Sequence, residues 1–267
     1  MTAMLSNVFT KSLWDQRRGL FGWGVGVALL VLLEAALWPT VRGMPGFEEF
    51  IQSYPEAMRE LFKLAEFTTG RGFLNAELYS LLLPILFIVF GIGRGARAVA
   101  GEEEAGTLEV LLVTPLSAAR LVVQQAAALT AAIAALGAVL FAAVVAASPV
   151  FELGITAAEA ATGSLSMVLL GVEFGCIALA VGAVTGRRGM AIGVAATAAV
   201  AAYLLYAIGQ LVDAVRPWLP VSPFHQALDG GPLGAGLPPA YAWMAVVALA
   251  VVAAALPVFD RRDIATH

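Results

Sequence analysis

Cysteine occurs once, at Cys176, and histidine only at His225 and His267. A lone thiol closes no disulfide within the chain. With no H-E-x-x-H and no Cys/His cluster, the sequence assigns no metal site and excludes zinc catalysis. It also lacks the G-x-x-x-x-G-K-[ST] phosphate loop, so ATP binding in the usual P-loop manner is excluded and any use of ATP requires another subunit. The G-x-S-x-G nucleophile elbow is missing too; Gly163-Ser164-Leu165-Ser166 reads as ordinary small and polar helix surface. No residue is assigned a catalytic role and no cofactor is expected on this chain. Charge is scarce as well. Charged residues make up 13%, against roughly a quarter in soluble domains, and the formal charge of −4 gives no ground for a nucleic-acid partner.

What the chain has instead is apolar length. Hydrophobic residues form 60% of it and the mean hydropathy is +0.88, more apolar surface than a soluble core absorbs. The 267 residues suffice for about six spans of the length a bilayer requires, without a large soluble domain beside them. The expectation is an all-α membrane protein, one domain over 1–267, with six transmembrane helices at about 20–38, 78–93, 121–147, 160–184, 190–211 and 241–259. The third and fourth runs exceed a minimal crossing and predict tilt or extension past the hydrocarbon.

Six spans put both termini on one side, and the basic residues choose which. Lys11, Arg17, Arg18, Arg94, Arg97, Arg120, Arg187, Arg188, Arg261 and Arg262 fall on the terminus side, against Arg42, Arg59, Lys63, Arg71 and Arg216 opposite. The positive-inside rule makes both termini cytoplasmic. The first run reads as a retained span: it is long for a signal-peptide core, and no A-x-A site with a polar start follows it. Ahead of it Leu5, Val8, Phe9, Ser12 and Leu13 give a short amphipathic pattern suited to an interfacial helix, or else a frayed tail. Outside, apolar residues between Pro45 and Glu66 recur at helical spacing, with Pro55 at a first helical turn. The Pro- and Gly-rich stretch from Asp213 to Pro239 reads as turns and short helices. Small residues four apart, at Gly22 and Gly26, Gly171 and Gly175, Gly182 and Gly186, and Gly189 and Gly193, permit close helix approach in lipid.

One charged segment interrupts the apolar runs, Gly101 to Ser117, GEEEAGTLEVLLVTPLS. Glu102, Glu103 and Glu104 stand where a helix N-terminus favours negative charge, Leu108, Leu111 and Leu112 follow at i, i+3, i+4 spacing, and Pro115 ends the pattern. Ser117 is placed to cap the next helix. The spacing predicts a short amphipathic helix over about 101–114 lying across the membrane face, either a docking element or a connector whose leucines rest on the bilayer. Within the fourth span, Glu173 stands out. A carboxylate near mid-span costs roughly 2.5–3.5 kcal/mol on insertion scales, so it should face protein or water. It either lines a substrate path or makes a structural hydrogen bond to Tyr203, Tyr206 or Gln210. Glu34, near the outer end of the first span, is explained by snorkelling.

Gly72-Phe73-Leu74, the second span with Pro84, then Ala100-Gly101-Glu102-Glu103-Glu104, Gly106-Thr107-Leu108-Glu109 and Thr114-Pro115-Leu116-Ser117 resemble the membrane subunits of ABC-2 type exporters. The resemblance extends over the six-span layout, the long first outer loop and Ser222-Pro223-Phe224, nearly the whole chain. It implies that the inner segment is a coupling helix docking a separate ATPase, through Glu102, Glu103, Glu104, Gly106, Thr107, Leu108, Glu109, Leu111, Leu112 and Pro115. It further implies two membrane subunits paired with two ATPases that carry the ATP and Mg, a homodimer in a bacterial plasma membrane, and export as the direction. Gln124 and Gln125 stand where similar sequences often place a lysine early in the third span. An apolar cavity suits lipophilic drugs, lipids or lipid-linked products. The rivals are an ion- or proton-coupled secondary transporter, for which the sequence shows no internal repeat of broken helices, and a non-transporting membrane scaffold.

Overall fold

The computed structural model describes residues 8–46, 53, 68–106 and 118–262. Within them the chain is helical, and six helices are long and apolar enough to cross a membrane. They are α1 (Val8–Arg42), α2 (Gly70–Glu104), α3 (Ala118–Val150), α4 (Ala157–Thr185), α5 (Arg188–Leu211) and α6 (Ala240–Asp260). Each contains its expected hydrophobic run, and α1 and α2 extend well beyond theirs, because hydropathy marks the hydrocarbon-level core, whereas Arg, Lys, Glu and Gln on either flank sustain a helix as well as the apolar residues do. The amphipathic N-terminal residues are therefore not a separate interfacial helix from Val8 onward: they form the first turns of α1 without a break.

A second difference concerns the acidic segment. Glu102–Glu104 is the last turn of α2, not the first turn of a coupling helix. Gly101 alone does not stop a helix, and the chain turns only at Gly106, in the left-handed region at φ 67°. Thr107, Leu108, Glu109, Leu111, Leu112 and Pro115 lie outside the described residues, as does most of the expected outer helix between Pro45 and Glu66.

α4 is the centre of the bundle, in contact with α2, α3, α5 and α6, while α1 packs on α3. Its composition explains this position: apolar on every side and rich in small residues, it suits burial all round. The α2–α4 contact is close enough to be backbone against backbone. A Cβ on Gly91 would collide with the Gly171 carbonyl, and one on Gly95 with that of Gly175; reciprocally, a Cβ on Gly175 would lie 3.1 Å from the Gly91 oxygen. α4 opens on a capping box, in which the Glu159 backbone N–H donates to Thr156 Oγ1 at 3.3 Å and the Thr156 N–H donates to the Glu159 carboxylate at 2.8 Å. It closes on Gly186 at φ 66°.

Two stretches of α2, Asn75–Leu82 and Arg97–Gly101, are wound as π-helix. The Pro- and Gly-rich segment forms the expected short elements, a 3₁₀ turn (Arg216–Val221) and a short helix (Pro223–Leu228). The segment then folds back on α2, where Asn75 Oδ1 accepts the Leu233 N–H at 3.1 Å. This end of the bundle, with the ion pairs Arg42–Glu152 and Arg71–Glu159, each 2.8 Å, is the loop end. The opposite one, holding the start of α1 and the end of α6, is the terminus end.

Candidate functional site

At the terminus end the acidic turn of α2 is held by three other parts of the chain. Glu102 pairs with Lys11 of α1 at 3.7 Å, and Glu103 pairs with Arg262, just beyond α6. Glu104 Oε1 accepts the backbone N–H of Arg188 at 2.9 Å, where α5 begins. Arg262 also donates to the Ala183 carbonyl at 2.7 Å, near the end of α4. Three carboxylates at the C-terminal end of a helix oppose its dipole, and these donors offset that. Gly186 makes room for the arrangement: a Cβ there would come within 2.8 Å of both the Arg262 guanidinium and the Glu103 carboxylate. Gly106, exposed, marks the exit of the chain into the segment that carries the leucines.

This geometry separates the three glutamates. The side chains of Glu103 and Arg262 are each only 17% exposed, so Glu103 belongs to the fold of the bundle and not to a solvated rim. Glu104 is exposed. Sequence reasoning used Arg262 for topology alone; nothing in the spacing of positions 103 and 262 announces that they meet.

The second region lies along α4. Glu173 is 4% exposed, and its Oε2 has no hydrogen-bond partner among the described residues. The aromatic candidates face elsewhere: the Tyr203 ring sits edge-on to Phe224 at 5.3 Å and Tyr206 lies 6.5 Å from His225. Two turns toward the loop end, Ser164 and Ser166 are core residues, 5% and 0% exposed, not the helix surface their sequence suggests. Ser166 satisfies itself on the Gly163 carbonyl at 2.9 Å. The hydroxyls of Ser164 and of Tyr79, in the first π-stretch of α2, are buried facing each other, and that of Tyr241, at the start of α6, is buried facing Ser166; none has a well-formed hydrogen bond among the described residues. Tyr79 packs against Gly163, where a Cβ would stand 3.1 Å from its ring. Sequence reasoning missed Tyr79 and Tyr241; their helical positions were legible, but not that both turn inward toward α4. Buried polar groups of this kind are costly in a membrane bundle and there mark functional positions.

Among the described residues no group of three or more His, Cys, Asp or Glu side chains is placed to hold a metal ion. Among the described residues the arrangement offers buried polar side chains along α4 inside an apolar bundle and an ionic latch at one end. No curated protein matches the chain. The sequence model of the family described as "ABC-2 family transporter protein" matches residues 6–264. With nearly its whole length covered by that match and six membrane-crossing helices in place, the chain belongs to the ABC-2 family of transporter proteins, as a multi-pass membrane permease subunit.

Proposed function

We propose that the chain is the membrane subunit of an ATP-driven exporter and that residues 101–117 dock a separate ATPase, which carries ATP and Mg. The observation that carries this reading is the ionic latch. The last turn of α2, from which the docking segment departs, is tied to α1, to the α4–α5 junction and to Arg262 just beyond α6. A push on that segment is thereby delivered to four helices at once. Leu108, Leu111 and Leu112 would form the apolar centre of the contact, with Glu104 and Glu109 at its rim. Glu173, with Tyr79, Ser164 and Tyr241, would line the path that opens, suiting a lipophilic drug, lipid or related compound that carries a few polar groups.

A second copy is part of the proposal. Of the four small-residue pairs in the sequence, Gly171 and Gly175 are consumed by α2, and a Cβ on Gly182 would meet Ala100 and Ala191. Among the described residues, Gly22 and Gly26 on α1 and Gly189 and Gly193 on α5 meet no neighbour, which would let both helices approach another chain closely. The assembly belongs in a bacterial plasma membrane with both termini cytoplasmic. The test is co-purification of the full chain from its native host with a P-loop ATPase, followed by a screen for compounds that stimulate ATP hydrolysis. A stoichiometric, stimulated complex is expected; a chain that binds no such ATPase contradicts the reading.

A further inference from the structure

At the terminus end, between α1, α2 and the start of α3, lies a pocket of about 520 Å³ that is separate from the buried polar side chains along α4. Its size is that of a small-molecule site. Arg94, Arg97 and Arg188 line it, and none of the three forms an ion pair among the described residues. The acids that share the pocket do not fully neutralise it: Lys11, Arg94, Arg97 and Arg188 stand against Asp15, Glu102 and Glu104, with Glu102 paired to Lys11 and Glu104 accepting the Arg188 backbone N–H, so one positive charge is left over. Arg94 is held in place. Its guanidinium lies against Gly19 of α1, where any side chain would displace it, and stands 5.3 Å over the Phe90 ring.

Two side chains bordering the pocket carry unsatisfied polar atoms: Arg188 Nε, a donor, and Gln16 Oε1, an acceptor, are buried without partners among the described residues, so a small shift of either side chain would turn it to a phosphate oxygen or a hydroxyl. The level in the membrane is given by Trp14, two positions from Gln16 on α1, which is 53% exposed and has Arg17 stacked 3.7 Å over its ring. Tryptophan and arginine in that combination mark the headgroup region. Basic pockets between spans at this depth recognise anionic lipid headgroups. We propose that this pocket binds a lipid phosphoglycerol headgroup, with Arg94, Arg97 and Arg188 on the phosphate and Gln16 on a glycerol hydroxyl. The site borders the acidic latch through Lys11, Glu102, Glu104 and Arg188 and does not include the polar side chains along α4.

The test uses the full chain purified in detergent and native mass spectrometry during titration with phosphatidylglycerol, phosphatidylcholine, or inorganic phosphate alone. One phosphatidylglycerol per chain is retained preferentially over phosphatidylcholine. At about fivefold for each lost cation, Arg94→Gln with Arg97→Gln lowers retention at least tenfold, the Arg→Lys pair largely restores it, and the distant Arg42→Gln leaves it unchanged. Should the double variant fail to fold, Arg97→Gln alone, at an exposed side chain, carries the same test with a loss of about fivefold. Equal retention by wild type and the glutamine variants, or equal binding of both lipids, overturns the proposal. Inorganic phosphate that binds while phosphatidylglycerol does not would make the pocket a soluble-anion site and also overturns it. Lost ATPase co-purification with unchanged lipid retention would assign these arginines to the protein partner instead.

Discussion

Gly93 sits between two glycines of very different consequence. A Cβ at Gly95 runs into the Gly175 carbonyl, whereas one at Gly93 meets nothing within 4 Å. Gly95→Ala should therefore lower the thermal midpoint of the detergent-solubilised protein, the overpacking costing about 1–3 kcal/mol. Gly93→Ala should leave the midpoint unchanged or raise it, since alanine favours the helix by up to ~1 kcal/mol. Equal effects at the two positions would mean that α2 and α4 do not meet as described. Glu173 poses the other residue-scale question. Glu173→Gln keeps its shape and hydrogen-bonding capacity but removes the charge, so folding and dimerisation should be preserved while transport or substrate-stimulated ATP hydrolysis changes. Transport unaltered across substrates and pH would reduce Glu173 to a packing residue. At this scale the sequence reveals anomalies and not their partners. Gly171 and Gly175 are recognisable as a close-approach pair, but the helix they admit is not, because Gly91 and Gly95 lie some eighty positions away and inter-helix pairing leaves no local pattern.

Among the elements, α2 departs furthest from its sequence pattern. The apolar run from Leu78 to Gly93 is legible, yet the helix extends eight residues before it and eleven after, and the acidic turn that looks like a beginning is an end. Local charge preference pointed to a helix N-terminus; the tertiary donors Lys11, Arg188 and Arg262 overrule it. If the Glu103–Arg262 pair latches α2 to the chain just beyond α6, then Glu103→Ala and Arg262→Ala should each destabilise the protein by about 1–3 kcal/mol, the cost of leaving a buried charged partner unpaired. The double variant should lose less than the two singles summed, a coupling readable from thermal midpoints. Strict additivity would show the two side chains to be independent. Glu104→Ala, at an exposed position, should cost about 1 kcal/mol or less.

For the whole molecule, the all-α class, the count of six spans and the placement of short helices between the last two were all legible, because hydropathy integrates over twenty residues and survives local exceptions. Which helix lies at the centre was legible only in composition: α4 is apolar on every face, but so nearly is α3. Sidedness rests on the basic residues gathered at the terminus end. In a Cys176→Ala background, Arg187→Cys at the α4–α5 junction should be protected from an impermeant thiol reagent in intact cells. Leu237→Cys, 71% exposed at the loop end, should react. The reverse pattern would invert the molecule in its membrane.

The central claim is that the segment leaving α2 at Gly106 carries the force of a partner ATPase into the bundle through the acidic latch. Its most direct measurement is paired ATPase co-purification and transport for Leu108→Asp and Glu104→Ala in protein shown to insert normally. An unpaired charge in the apolar centre of a protein contact costs several kcal/mol, while an exposed rim charge costs about 1 kcal/mol or less. Leu108→Asp should therefore abolish ATPase retention or transport, and Glu104→Ala should only weaken them. A Leu108→Asp protein that keeps its ATPase and still transports would contradict the account.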